Sequence, residues 1–249
     1  MPRFPGENKI KDWLYPAGVL LLMAFVAAGT LQSGLLLRRW TPRANLLLSW
    51  PDNALRLALI GLCIFLGWRM GPGPAALGWS TTALPARLTA GAVVGLLLAG
   101  AINLGSLLVV RRWGQEAFST KLIRCILPIN RREWLGVLLA LLPAAAVEEL
   151  LFRSLPLGGA GLFGAAGPRP AWLLWPLALF FGLLHWPQGG WGVVGTTMAG
   201  AILSLLFLAT GSLWPPLAAH YLLNVSQVVV AKWIGMKPLR GAYCVVRIA

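Results

Sequence analysis

From Trp13 to Leu37 the chain runs for 25 residues without a charged side chain and then stops at Arg38-Arg39. At a rise of ~1.5 Å per residue such a stretch covers the ~30 Å hydrocarbon core of a bilayer with some tilt. Backbone N–H and C=O groups find no water there, so the segment has to satisfy them internally, as a helix does. The pattern recurs. Apolar runs follow at about Ala54–Trp68, Leu88–Val110, Trp134–Leu155, Ala171–Trp186, Val193–Thr210 and Trp214–Ile234, and short polar or basic stretches separate them. The expected fold is therefore all-α, a polytopic transmembrane helical bundle of about seven to eight membrane segments. Residues 1–249 are expected to form a single integral membrane domain, located in the cell membrane.

Composition agrees with that reading. Of the residues, 58% are hydrophobic and 11% charged, against roughly 25% charged in a soluble domain. Lys and Arg outnumber Asp and Glu 21 to 7, and most of the cations lie between apolar runs, where topology signals place them. This excess points to anionic membrane lipids as partners. No helix–turn–helix, zinc-finger or stacking-platform pattern accompanies it, and no nucleic-acid partner is expected. Cys63, Cys125 and Cys244 are widely spaced, which suggests neither a disulfide framework nor a thiolate metal site.

The longest basic polar connector, residues 111–134, carries six basic and two acidic residues. Within it Phe118, Leu122, Ile123 and Ile126 recur at helical spacing beside Lys121 and Arg124. That spacing predicts an interfacial amphipathic helix near 115–128. The fifth apolar segment has only 16 residues and follows a Gly-rich stretch, Gly158 to Pro170; it is expected to be shifted in depth and surrounded by protein. Gly195, Ala199, Gly200 and Ser204 along the sixth segment suit close helix packing.

Expensive residues are absent from the interior of the first three runs and gathered in the last four. A charge at mid-membrane costs roughly 2.5–3.5 kcal/mol on insertion scales, so a cluster of them marks function by default. Glu149 and Arg153 lie four apart with the acid first, and can pair and neutralise each other. Glu148 points about 100° around the helix from Glu149 and is left available. Phe181 and His185, and again His220 and Asn224, repeat the i, i+4 spacing on other runs. A carboxylate, two imidazoles and an amide donor can together activate water against a carbonyl. No serine or cysteine sits beside a histidine with an orienting acid, so a covalent nucleophile is disfavoured. The competing reading is a non-catalytic membrane scaffold or transporter-like protein with a buried polar network.

Three motifs occur in order, each in its own apolar run: Glu-Glu-x-x-x-Arg at Glu148, Glu149 and Arg153; Phe-x-x-x-His at Phe181 and His185; His-x-x-x-Asn at His220 and Asn224. Together they resemble the CAAX protease and bacteriocin-processing (Abi, CPBP) family of intramembrane proteases. The resemblance covers the motif-bearing core, about residues 135–230. It implies an intramembrane endopeptidase, a hydrolase acting on a peptide or membrane-protein substrate. Carried over, Glu148 would activate water with help from His185, His220 and Asn224 would stabilise the oxyanion, and Glu149, Arg153 and Phe181 would support the site. It leaves two chemistries open. The lack of a His-Glu-x-x-His sequence favours a metal-free glutamate mechanism; the alternative is zinc held by Glu148, His185 and His220 from three separate helices.

Overall fold

A computed structural model describes residues 7–114, 118–163 and 171–240, with side chains described from Trp13 onward. Positions 115–117 of the predicted surface helix, most of the Gly-rich stretch (164–170) and Cys244 lie outside these residues. The described chain is helical and, among the described residues, holds no strand. The helices are α1 (Glu7–Arg39), α2 (Trp50–Arg69), α3 (Leu84–Trp113), α4 (Lys121–Ile126), α5 (Arg131–Glu149), α6 (Leu174–Leu184), α7 (Gly190–Thr210) and α8 (Trp214–Trp233). Five stretches are long and apolar enough to cross a membrane: Trp13–Arg39, Trp50–Arg69, Leu84–Trp113, Arg131–Gly158 and Gly190–Thr210. The architecture is a helical membrane bundle. α8 has the length but also carries His220, Asn224, Gln227 and Lys232, which lower its hydropathy.

Local chemistry explains the helix boundaries. α2 starts with Pro51 and Asp52 in its first turn and ends on Arg69, so a fixed φ favours the start and charge complements the helix dipole at both ends. α5 starts at Asn130, whose side chain accepts from the Glu133 N–H at 2.9 Å. The Glu133 carboxylate reaches back to accept from the Ile129 N–H at 3.0 Å. This reciprocal pair is close to a capping box, and Arg240 binds the same carboxylate at 3.1 Å.

The bundle closes through small residues. α3 lies against α8, where a Cβ on Gly95 would come within 2.6 Å of the Ala219 Cα. Gly91 meets the Pro215 backbone with similar closeness. Gly91 and Gly95 are four apart, the small-xxx-small spacing that lets membrane helices approach backbone to backbone. This contact fixes the height of Ala219 and so of the next residue, His220. The main apolar cluster joins Tyr15, Val19 and Met23 of α1 with Leu59, Cys63 and Leu66 of α2 and with Leu150, Leu151, Phe152 and Leu155 beyond α5.

Two segments differ from expectation. α4 is only Lys121–Ile126, and its apolar side is covered by protein: Ile123 and Ile126 pack with Leu47, Leu127, Val137 and Ala140. α6 is not surrounded by protein. Leu174, Ala178, Phe181 and Gly182 face inward, but Trp175, Leu179 and Leu183 are 60%, 53% and 51% exposed. Its 11 residues amount to about 16 Å, half a hydrocarbon core. The helix is therefore short, as expected, and stops where its last turn reaches the polar cluster.

Candidate active site

Immediately after Glu149 the fourth span leaves α geometry. Leu150–Gly158 is π-helical, and all nine of its residues, Arg153 included, are buried. Such widened turns are rare and recur at functional sites. Here the transition falls between the two charged partners. Arg153 Nη1 donates to Glu149 Oε1 at 2.9 Å with both side chains sealed from solvent. Arg153 Nη2 donates to the Gly200 carbonyl of α7 at 3.2 Å, and its guanidinium carbon lies 4.5 Å from the centre of the Phe181 ring. A side chain at Gly200 would crowd Phe181 at 3.0 Å and Arg153 Nη2 at 3.4 Å. The arginine thus ties α5, α6 and α7 together.

The predicted pairing of Glu149 with Arg153 is present, and Glu149 has a second partner that spacing could not show. Its Oε1 also accepts from His220 Nδ1 at 2.7 Å. A carboxylate on Nδ1 orients the ring and fixes a proton on that nitrogen. Nε2 is then turned toward Glu148 Oε2, 3.5 Å away. That gap is too long for a strong hydrogen bond. His220 therefore stands between the two carboxylates. Glu149 is fully buried, while the Glu148 side chain is 31% exposed.

His185 ends α6. Its Nδ1 lies 2.8 Å from the Phe181 carbonyl, which can only accept, so Nδ1 carries the hydrogen and Nε2 of the neutral ring is left with a lone pair. Phe181 links the two imidazoles: its ring centre is 4.6 Å from that of His185 and 5.9 Å, edge-on, from that of His220. His185, His220 and Asn224 line one cavity of about 30 Å³ together with Gln188, Thr196 and Gln227, room for a water or two. Glu148 flanks His220 and is not among the cavity-lining residues.

Sequence reasoning did not single out Gln227, Gln188 or Thr196. Gln227 had a signal, since 220, 224 and 227 follow the 4, 3 spacing of one helix face; Thr196 had none. As for zinc, no three His, Cys, Asp or Glu side chains among the described residues are placed to share one ion. Nδ1 of His220 is taken by Glu149 and Nδ1 of His185 by a carbonyl, which leaves Nε2 of each ring as the nitrogen that can meet another ligand.

No curated protein and no solved structure matches the chain. A family model does. Residues 130–226 match the model described as type II CAAX prenyl endopeptidase Rce1-like, and this segment holds all three motifs and every side chain of the cluster. Its members are membrane proteases, in keeping with a lipid setting and a peptide or protein substrate. The motif order and the family match agree: residues 130–226, about two fifths of the chain, are similar to the CAAX protease (CPBP) family.

Proposed function

We propose that this protein is an intramembrane endopeptidase that hydrolyses a peptide bond of a membrane-associated peptide or protein by direct attack of water. The observation that supports this most is the placement of His220 between a buried carboxylate and an accessible one. Glu149, neutralised by Arg153, orients the ring; Glu148, the accessible carboxylate, is the base.

In the proposed reaction a water held near Glu148 and the His185 Nε2 lone pair gives a proton to Glu148 as its oxygen attacks the carbonyl carbon. The carbonyl π electrons move onto oxygen. His220, oriented through Nδ1 by Glu149, faces that oxyanion with Nε2, and the Asn224 amide donates to it. The intermediate collapses, the C–N bond breaks, and Glu148 returns its proton to the leaving nitrogen. The products are a carboxylic acid and an amine, which become carboxylate and ammonium once the acid's proton passes to the amine. Neither a covalent enzyme intermediate nor a displaced side chain is needed.

The test is Glu148→Gln, which keeps the shape and removes the base. New peptide termini in the host membrane proteome are compared between cells carrying the wild type and the variant. The expected result is a set of termini specific to the wild type and reduced about 10²–10⁴-fold in the variant, with equal amounts of folded protein. Equal cleavage by the variant, or no cleavage by the wild type, overturns the reading; the second outcome favours a non-catalytic scaffold or transporter.

A further inference from the structure

The end of α1, the start of α4 and the turn after α6 enclose a second and larger cavity, of about 220 Å³. The proposed chemistry makes no use of it. Its lining divides into two kinds of residue. Leu37, Leu122 and the Trp186 ring are apolar, whereas Arg38, Lys121 and Ser119 carry hydrogen-bond donors. Among the described residues no acidic side chain lines the cavity, and neither Arg38 nor Lys121 has a carboxylate partner. The Arg38 guanidinium carbon lies 4.7 Å from the centre of the Trp186 ring, a cation–π contact that positions the charge without neutralising it.

Two further observations show that the cavity wall is built. The indole N–H of Trp186 is buried and has no acceptor among the described residues, an uncommon state for a buried donor. Gly34 makes the seat for that indole: a Cβ there would lie 3.0 Å from Pro187 Cγ and overlap the ring. The charged and N–H groups of the cavity wall are thus all donors, the rest of the wall is mostly apolar, and the cavity lies where the apolar run of α1 gives way to Arg38-Arg39. That is the depth at which lipid headgroups meet a membrane helix.

We propose that this cavity binds an anionic phospholipid, with the headgroup phosphate among Arg38, Lys121, Ser119 and the Trp186 N–H, and the glycerol and first acyl carbons against Leu37 and Leu122. A phosphate supplies the acceptors the wall lacks, and the attached hydrocarbon matches its apolar part. The site also adjoins the catalytic turn. The Ser119 N–H donates to the Gln188 carbonyl at 2.9 Å, and Gln188 lines the small cavity with His185. A bound lipid thus braces the turn that carries His185.

The experiment is native mass spectrometry of the full-length protein in detergent, titrated with dioleoylphosphatidylglycerol or dioleoylphosphatidylcholine. Phosphatidylglycerol adducts are expected at about tenfold lower lipid concentration than phosphatidylcholine adducts. Arg38→Gln with Lys121→Gln should abolish that preference, and Trp186→Phe, which removes the indole donor and keeps a smaller aromatic ring, should lower it about threefold. Arg39→Gln, which removes a neighbouring charge outside the cavity, and the conservative pair Arg38→Lys with Lys121→Arg should retain it. Equal binding of the two lipids by the wild type, or an undiminished preference in the Gln pair, overturns the site. Release of the phosphatidylglycerol by millimolar inorganic phosphate overturns the lipid assignment in favour of a free anion.

Discussion

Two spans of this protein have the same mean hydropathy, 2.0, and opposite surroundings. Half of the most apolar window of Arg131–Gly158 is buried inside the protein, against 17% of that of Trp13–Arg39. Hydropathy reports only that a segment prefers to leave water, and lipid tails satisfy that preference as well as neighbouring helices do. The position within the bundle is set by what the apolar residues cannot supply. Trp13–Arg39 has nothing charged to shield until its end and turns Leu20, Leu21 and Phe25 outward. Arg131–Gly158 carries Glu148, Glu149 and Arg153, and the other helices wrap around it.

If shielding these charges organises the bundle, removing one of them should be the most damaging change. Arg153→Met leaves Glu149 buried without its cation and frees the Gly200 carbonyl. A loss of about 3–5 kcal/mol is expected, as for other broken buried pairs, read as a large fall in thermal midpoint in detergent. Near-normal stability would show that the cluster does not hold the helices. Next comes Gly95→Leu, which drives a side chain into the Ala219 backbone. It should destabilise by about 1–3 kcal/mol and, by shifting His220, reduce any cleavage beyond what the lost folded fraction explains. Cleavage falling only in proportion to folded protein would separate the α3–α8 contact from the site. The smallest effect belongs to Leu21→Ala on the outward face of α1, where Leu21 is 70% exposed. Its effect should stay within about 0.5 kcal/mol; a larger loss would mean that α1 has a protein neighbour on that side.

The sequence disclosed those parts of the molecule that are local. Glu149 and Arg153 are one helical turn apart, so their pairing follows from spacing, as does the release of Glu148 to another face. The apolar runs mark the helices by their length, and Arg38-Arg39, Arg69 and Arg111-Arg112 mark the ends of the first three. The bond from His220 to Glu149 spans 71 residues and is carried by the packing of α8 on α3, so no spacing within a helix can reveal it. Gly91 and Gly95 did carry a signal for that packing, in their four-residue separation, but small residues drew notice only on α7. The outward face of α6 was hidden for a different reason. Trp175, Leu179 and Leu183 are as apolar as core residues, and a membrane gives the chain no cause to distinguish the two sides by hydrophobicity. The π-helical turn after Glu149 carries one mark, Pro156, which removes a backbone donor, but a proline does not tell where the wider turn begins.

One fastening has a consequence for how this chain can be cut. Arg240 donates to the Cys125 and Leu127 carbonyls at 2.8 and 2.9 Å and to Glu133 at 3.1 Å, so residue 240 clamps the segment from which α5 begins. Glu133 is also the residue that caps α5. The stretch recognised by the family model stops at residue 226, fourteen residues before the clamp. An excised fragment with those boundaries would contain every motif yet have lost the latch on its first helix. On the ribosome the same latch can close only after residue 240 has emerged, long after the carboxylate and carbonyls it secures have been made.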